Sequence, residues 1–331
     1  MDGPSDPRVR LHVVTGKGGT GKTTVAAAMA LALTARGQRV LLVEVEGRQG
    51  ISQVLDVAPL GDTERLLVTD PSGGELLGLA VDAKAALLEY LQKFYKLGRA
   101  GTVLEKVGAV DFATTIAPGV RDVLLIGKVY EAVGRRAKGA RKRPVYDAVV
   151  LDAPPSGRIG RFLAVNSEVS EVARVGPIRT QADSITRLLQ SPTTAVHVVT
   201  LLEEMPVQET LDTIDELGGL SLRVGSVVAN GVRPPLLTDE EEAMILDAGP
   251  DAEAALVAGL GAVGLRAGPA TVTGLLREGT EHTLRARLQE EQGAILDELP
   301  VPMLTLPHLP DGTEDGGLRL LADALGEQGG P

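Results

Sequence analysis

The clearest pattern in the chain is a series of short, almost wholly apolar runs separated by longer amphipathic stretches. Val and Leu dominate the runs at 9–14, 39–44 and 145–151, and similar runs recur at 75–81, 195–202, 223–229 and 301–306. Continuous apolar runs of this length are typical of strands that are buried on both faces of a parallel sheet. The pattern therefore predicts an α/β chain built on buried parallel strands.

Helical periodicity occupies most of the chain between these runs. Helices are predicted at 25–33, 170–190, 237–295 and 318–325, and residues 83–136 carry apolar side chains mostly at i+3 or i+4 spacing. All seven aromatic residues lie between 90 and 162, which suggests a differently built, helical part in the middle. We therefore divide the chain into a first part of the core (1–80), a helical subdomain (81–144) and a second part of the core with further helices (145–331).

A glycine-rich stretch joins the first apolar run to the first helix. Residues 16–23 fit G-x-x-x-x-G-K-[ST], the P-loop. Its four glycines let backbone N–H groups point at phosphate oxygens, and the N-terminus of the helix adds the positive end of its dipole. A glycine-rich turn that binds nothing is the alternative, but strand, loop and helix follow in the order that nucleotide binding requires.

Specific chemical roles follow for the side chains of this loop. Lys22 is expected to neutralise the β- and γ-phosphates, and the Thr23 hydroxyl to be a Mg²⁺ ligand. The expected cofactors are thus ATP and Mg²⁺. The loop residues expected to bind the nucleotide are Gly16, Lys17, Gly18, Gly19, Thr20, Gly21, Lys22, Thr23 and Thr24.

Lys17, the second lysine of the loop, gives the deviant form K-G-G-x-G-K-T-T. This form resembles the dimerising P-loop ATPases that include MinD and ParA, the arsenical-pump ATPase and the tail-anchored-protein targeting ATPase. The resemblance implies that Lys17 is catalytic and reaches across a dimer to the partner's nucleotide, as an arginine finger does. A solvated loop lysine is the alternative.

Two further stretches extend the resemblance to the catalytic centre. The run at 145–151 closes on Asp152, as in a Walker B strand whose carboxylate holds Mg²⁺, often through water. The following Pro-Pro-Ser-Gly resembles the family's D-T-A-P-T-G-H, with Arg158 in place of the histidine; we expect this arginine to pair with an acid or with phosphate.

The end of the second strand departs from the family pattern. Where the related ATPases have D-P-A-H, this chain has Glu46-Gly47-Arg48-Gln49. The resemblance implies that Glu46 positions the attacking water and contacts Mg²⁺ through water. Glutamate is one methylene longer than aspartate, and a displacement near 1 Å can cost on the order of 10²-fold in rate. Weak turnover is therefore expected, with a surface carboxylate as the alternative.

The adenine site is also expected from the resemblance. Asn230, in Val-Val-Ala-Asn-Gly, matches the asparagine that the family places on the adenine edge, and the loop Pro307, Leu309 and Pro310 matches the segment that wraps the base. A plain turn asparagine is the alternative for Asn230.

Composition excludes several classes of protein. The net charge of −11 disfavours a broad nucleic-acid surface, and the absence of cysteine rules out zinc–thiolate sites, disulfides and the thiols on which arsenite binding relies. With no apolar run long enough to span a membrane and no secretory signal, we expect a cytoplasmic protein. The basic run at 135–143 could contact anionic lipid or an acidic partner, although a solvated loop is the commoner reading.

The resemblance points to the arsenical-pump and targeting ATPases, in particular an actinobacterial branch that is named anion-transporting. It implies a doubly wound, mostly parallel sheet with a helical insertion subdomain. The implied function is a dimeric ATPase, paired with itself or with a paralogous subunit, whose nucleotide state controls binding of a hydrophobic client or membrane-protein partner. The alternatives are a weakly hydrolysing regulatory subunit of a paralogous ATPase and a MinD-like positioning ATPase; the short terminal helix disfavours the latter.

Overall fold

One eight-stranded sheet organises the protein, and its order is β3-β4-β2-β5-β1-β6-β7-β8. The computed structural model describes residues 6–45, 47, 49–87, 89, 118–137, 143–164, 177–247, 249–314 and 316–331. The strands are β1 (Leu11–Gly16), β2 (Arg39–Glu44), β3 (Arg65–Thr69), β4 (Glu75–Ala80), β5 (Ala148–Asp152), β6 (Thr194–Thr200), β7 (Val224–Val232) and β8 (Met303–Pro307). Neighbouring strands run parallel except β3 and β4.

All seven predicted strands are present, and one strand was not predicted. β3 is five residues long and lies at the edge of the sheet, where its side chains are only partly buried. Leu66, for example, is exposed. An edge strand needs no continuous apolar run, so the pattern that identifies the central strands is weak there.

Helices cover both faces of the sheet, which confirms the doubly wound α/β arrangement. They are α1 (Lys22–Ala35), α2 (Gly50–Val54), α3 (Pro118–Gly134), α4 (Ser156–Leu163), α5 (Pro177–Leu189), α6 (Glu204–Gly219), α7 (Asp239–Asp247), α8 (Pro250–Ala262), α9 (Pro269–Asp297) and α10 (Gly317–Glu327). Helices α1 and α10 pack on one face of the sheet, and α3 to α6 contribute to the core on the other. No helix in the described parts of the chain is both long enough and apolar enough to cross a membrane.

The described part of the predicted helical subdomain packs directly on the sheet. Val123, Ile126 and Val129 of α3 are buried in the same hydrophobic cluster as Val13 and Leu151 of the central strands. Residues 90–117, with most of the aromatic stripe, and residues 138–142 of the basic run lie outside the described residues. The division at 81 and 144 stays a prediction.

Helices α7, α8 and α9 form an arm (residues 239–297) between β7 and β8. Few of its side chains are buried: none in α7, Ala252 in α8, and Val272, Thr283, Gly293 and Leu296 in α9. Leu296 joins a small core cluster with Val207 of α6 and Val227 of β7. At the base of the arm, Gln289 both donates to and accepts from the backbone of Arg233. The arm is thus held to the body mainly by the C-terminal part of α9.

Candidate functional site

The phosphate loop is built from glycines that no other residue could replace without strain. Gly16, Gly19 and Gly21 have φ angles of 145°, 89° and 86°, a region that side chains with a Cβ rarely adopt. A Cβ on Gly16 would lie 2.0 Å from the carbonyl oxygen of Val199 on β6. The glycine therefore allows the loop to leave β1 in close contact with the adjacent strand.

The helix after the loop is buried, and its N-terminus faces the loop. Residues Val25–Thr34 of α1 are buried, and its N-cap, Gly21, provides no side-chain hydrogen bond to the first turn. Lys22 Nζ donates to the carbonyl oxygen of Lys17 at 3.0 Å, and Thr20 Oγ1 donates to the same oxygen at 2.9 Å. The loop is thereby closed on itself, with an uncapped helix terminus at its end.

Thr23 and Asp152, two of the three residues expected to contact the metal, are in direct contact. Thr23 Oγ1 donates to Asp152 Oδ2 at 2.7 Å. Asp152 is the last residue of β5, and the register pairs it with Val14 of β1 and Glu44 of β2. Parallel pairing thus brings the hydroxyl and the carboxylate together at the carboxyl edge of the sheet.

These two residues fit a Mg²⁺ site of the kind that nucleotides complete. Mg²⁺ is usually held by one or two protein oxygens, several waters and substrate phosphates. Thr23 and Asp152 supply a hydroxyl and a carboxylate oxygen, the hard donors that this ion prefers. Across the described residues, no cluster of three or more His, Cys, Asp or Glu side chains could hold a metal by itself. The ion would accordingly be held together with the nucleotide.

Glu44 organises the segment that follows β2, a role that the sequence did not reveal. Its side chain is buried, and its two carboxylate oxygens accept from the backbone N–H groups of Gln49 at 2.6 Å and Ile51 at 3.2 Å. A Cβ on Gly50 would lie 3.1 Å from Thr23 Cγ2, so the start of α2 adjoins the threonine that is expected to bind the metal. Glu46 lies outside the described residues, and its catalytic role stays a prediction.

Asn230 lies at the phosphate loop. Its Nδ2 donates to the carbonyl oxygen of Thr20 at 2.9 Å, and a Cβ on Gly21 would lie 2.3 Å from that nitrogen. The side chain therefore supports the loop from the carboxyl end of β7, and an adenine contact stays a prediction. This hydrogen bond was not predicted, since 210 residues separate the two partners.

The predicted base-binding loop follows β8 and lies beside the end of β7. His308 N donates to the carbonyl oxygen of Val232 at 2.9 Å. Pro307 and Pro310 are exposed, whereas Leu309 packs against the cluster beneath α1 and α10. The structure thus brings this loop and Asn230 to neighbouring strand ends, as two elements of one base site would require.

Lys17 is paired within its own chain. Its Nζ lies 3.5 Å from Glu209 Oε2 on α6, and Ser156 Oγ donates to the other carboxylate oxygen, Oε1. A role for Glu209 was not predicted, because this residue lies in the second turn of a helix and belongs to no motif. Arg158, in the position of the family histidine, pairs with Asp122 at 3.9 Å, which confirms that it pairs with an acid.

Two histidines that are far apart in the sequence form a buried pair within the sheet. His12 Nδ1 lies 3.1 Å from His197 Nε2, and His197 Nδ1 lies 2.8 Å from Ser226 Oγ. Burial lowers the pKa of His12 to about 4, and it also lowers the pKa of His197 well below its ordinary value. Both rings are thus neutral at pH 7 and link β1, β6 and β7.

A parallel sheet with a glycine-rich loop, an uncapped helix and a Thr–Asp pair at its carboxyl edge defines a P-loop nucleotide-binding protein. The family model described as anion-transporting ATPase matches residues 9–187. This protein belongs to that family.

Individual relatives agree with the family. The chain is 50% identical over 321 residues to the ATPase BagA of Mycobacterium tuberculosis strain H37Rv, a match that covers 97% of this chain and 94% of the relative. It is 29% identical over 239 residues to the arsenical pump-driving ATPase of Escherichia coli, covering 66% of this chain and 39% of that protein. Family membership and the P-loop support nucleotide binding and ATPase activity.

Proposed function

We propose that this protein is a Mg²⁺-dependent ATPase that works as a dimer and couples its nucleotide state to the binding of a partner protein. The observation that carries the proposal is the contact of Thr23 Oγ1 with Asp152 Oδ2 beside the phosphate loop. It joins a phosphate cradle to a metal-binding carboxylate, which is the arrangement that phosphoryl transfer needs.

In the proposed reaction, a water attacks the γ-phosphorus in line, and the bond to the oxygen bridging the β- and γ-phosphates breaks. The backbone N–H groups of the loop and Lys22 hold the phosphates and stabilise the developing charge. Mg²⁺, held by Thr23 and Asp152, would neutralise the phosphate oxygens. Glu44 contributes indirectly, because its carboxylate fixes the backbone on either side of Gly50, next to Thr23.

Dimer formation would complete the site through Lys17. Its side chain is 30% exposed, so the amine is accessible from the surface of its own chain. In the ATP-bound dimer we expect each Lys17 to reach the partner's phosphates, which would make hydrolysis depend on assembly. The second subunit is a copy of this chain or a paralogous ATPase subunit.

The arm formed by α7 to α9 offers a surface for the partner protein. Residues 239–297 contain 12 acidic and 4 basic side chains. The same segment holds eight of the twelve large hydrophobic side chains that are exposed in the described chain, among them Val263 and Leu284. Exposed apolar side chains amid mostly acidic ones are typical of surfaces that bind a basic, partly apolar protein segment. The partner should therefore present a hydrophobic segment flanked by Lys or Arg.

Nucleotide state could reach this arm through the two strands that carry it. The arm begins shortly after Asn230, which contacts the loop residue Thr20, and it ends shortly before the loop at 307–310. A shift of either segment when the base binds would be transmitted to the base of the arm, where Gln289 is bonded to Arg233. This connection supports coupling between ATP and partner binding.

The direct test is ATP turnover by the purified chain, with Lys22→Ala as the blank. Turnover that requires Mg²⁺, rises more than linearly with protein concentration and is lost in Lys17→Ala would support the proposal. ATP binding without turnover would point to a nucleotide-binding subunit that needs a paralogous ATPase. Absence of ATP binding would refute the proposal.

Partner binding is tested with a fluorescent amphipathic peptide that has one Leu face flanked by Lys. We expect the fluorescence anisotropy of the peptide to rise as the protein is added. The affinity of the protein for the peptide should differ between ATP and nucleotide-free conditions. Leu284→Asp on the arm should weaken binding, whereas Leu320→Asp on α10, an equally exposed leucine on the body, should not. An equal loss of peptide affinity in both variants would show that the arm is not the binding surface.

A further inference from the structure

Glu209 occupies a position between the two halves of the proposed catalytic machinery. One of its carboxylate oxygens lies 3.5 Å from Lys17 Nζ, and the other accepts the hydrogen bond from Ser156 Oγ. Ser156 is the first residue of α4 and lies four positions after the metal-binding Asp152. A single carboxylate therefore connects the lysine of the phosphate loop with the segment that follows the Walker B strand.

We propose that Glu209 is a positioning residue that holds Lys17 within its own chain until ATP-dependent assembly releases it. This inference rests on the proposed function, in which Lys17 acts on the partner's nucleotide. The lysine cannot serve the partner's phosphates while its amine is paired with Glu209. Glu209 thus restrains the catalytic lysine in the nucleotide-free chain.

The elements around this carboxylate are firmly fixed. Thr15 Oγ1 of β1 donates to the carbonyl oxygen of Pro154 at 2.8 Å, and Ala153 N donates to the carbonyl oxygen of Val14 at 2.9 Å. Helix α6 is anchored by buried side chains such as Val207 and Leu217. Since the backbones on both sides are fixed, release of the lysine requires only side-chain rotation.

The ion pair itself is weak enough to open. The side chains of Lys17 and Glu209 are 30% and 32% exposed, and the 3.5 Å separation is longer than that of a strong charge-assisted hydrogen bond. Partly exposed pairs of this kind shift an equilibrium by about fivefold at most. Phosphate groups carry more charge than one carboxylate and can therefore displace it from the lysine.

Ser156 gives the restraint a second connection. Its hydroxyl holds Oε1 of Glu209, so the carboxylate is oriented with Oε2 toward Lys17. If the segment after Asp152 moves when nucleotide and metal bind, Ser156 would pull on or release the same carboxylate. Loss of the hydroxyl should accordingly loosen the hold on Lys17 without removing the charge.

The first test measures the contact without any nucleotide. The protein is treated with a limiting amount of an amine-reactive reagent, and modification of Lys17 is quantified by mass spectrometry relative to the exposed Lys84. An amine that is engaged by a carboxylate is less accessible to the reagent, so Glu209→Gln should raise the modification of Lys17 about two- to fivefold. Ser156→Ala should give a smaller rise in the same direction.

Asp215→Asn is the matched control, because it removes the same charge from an exposed position on the same helix. It should leave the relative modification of Lys17 unchanged. Equal modification in wild type and Glu209→Gln would overturn the proposal whatever the ATPase activity of the chain. This outcome is therefore distinguishable from failure of the proposed function.

The second test measures the release. Half-maximal turnover should be reached at a two- to fivefold lower protein concentration in Glu209→Gln than in wild type. If the chain shows no turnover, wild type and Glu209→Gln are both labelled with and without Mg·ATP. The difference in Lys17 modification between the two proteins should disappear when Mg·ATP is present. A difference that persists with Mg·ATP, or an unchanged concentration dependence of turnover, would overturn the positioning role.

Discussion

Replacing Gly21 by alanine tests whether the Asn230 side chain packs against the phosphate loop and stabilises it. A Cβ on Gly21 would lie 2.3 Å from Nδ2 of Asn230, so the amide must move and give up its hydrogen bond to Thr20. Gly21 also has a φ of 86°, which disfavours any residue with a Cβ. Gly18 in the same loop is the matched control, because a Cβ there meets nothing within 4 Å.

The expected cost can be worked out from these two effects. A residue with a Cβ in the left-handed region costs about 1–2 kcal/mol. Loss of the amide's hydrogen bond adds about 0.5–1.5 kcal/mol. We therefore expect Gly21→Ala to lower the free energy of unfolding by about 1.5–3.5 kcal/mol, and Gly18→Ala by less than about 1 kcal/mol.

The assay is urea unfolding of the nucleotide-free protein, followed by circular dichroism at one protein concentration. Asn230→Ala and the double variant complete a cycle. The alanine at 230 removes the amide that a Cβ at 21 would strike, so the double variant should lose about 1 kcal/mol less than the sum of the singles. Additive losses of stability in the double variant would refute the contact between position 21 and Asn230. Equal losses in Gly18→Ala and Gly21→Ala would refute it as well.

Two further predictions concern buried polar groups. Glu44→Gln replaces one acceptor oxygen with a donor that faces the N–H of Gln49 or Ile51. It should lower the free energy of unfolding by about 1.5–3 kcal/mol in the same urea assay. No loss of stability would contradict the role of Glu44 in holding this segment. The pKa of His12 is held near 4 by burial, so the unfolded chain binds more protons between pH 6.5 and 4. The stability that depends on neutral His12 should be complete above about pH 6.5 and decline by about 3 kcal/mol as the pH falls toward 4, and the lowered pKa of His197 should add to the decline. Urea unfolding between pH 5 and 7 measures the slope of the free energy of unfolding against pH. His12→Gln should flatten this slope, and the slope would be absent if the histidine pair were charged in the folded protein.

The sequence predicted those parts of the site that depend on local pattern. The phosphate loop, the strand before it and the helix after it are contiguous, and Gly16, Gly19 and Gly21 have positive φ angles that favour glycine. Asp152 was found by the same logic, because an apolar run that ends in aspartate marks the carboxyl end of a buried strand. The structure then shows why Thr23 and Asp152 lie together: parallel register pairs Asp152 with Val14, just before the loop.

Long-range neighbours could not be predicted in this way. His12 and His197 are 185 residues apart, and they meet because β1 and β6 are adjacent in the sheet, an order that no local pattern encodes. Glu44 is a comparable case: it was read as the end of a strand, yet its function depends on the turn that brings Gln49 and Ile51 back to it. In both cases the missing information was the position of one segment relative to another.

The difference between residues found and residues missed follows the architecture of the sheet. In a doubly wound fold the site lies along the carboxyl ends of the strands, so Gly16, Asp152 and Asn230 could each be recognised as the residue at the end of an apolar run. Glu209 is on a helix, where the apolar period identifies the packed face and reveals nothing about which polar residue faces the site. Its proximity to Lys17 depends on how α6 lies across the end of the sheet. A carboxylate partner of Lys17 can therefore be located only once the packing of that helix is known.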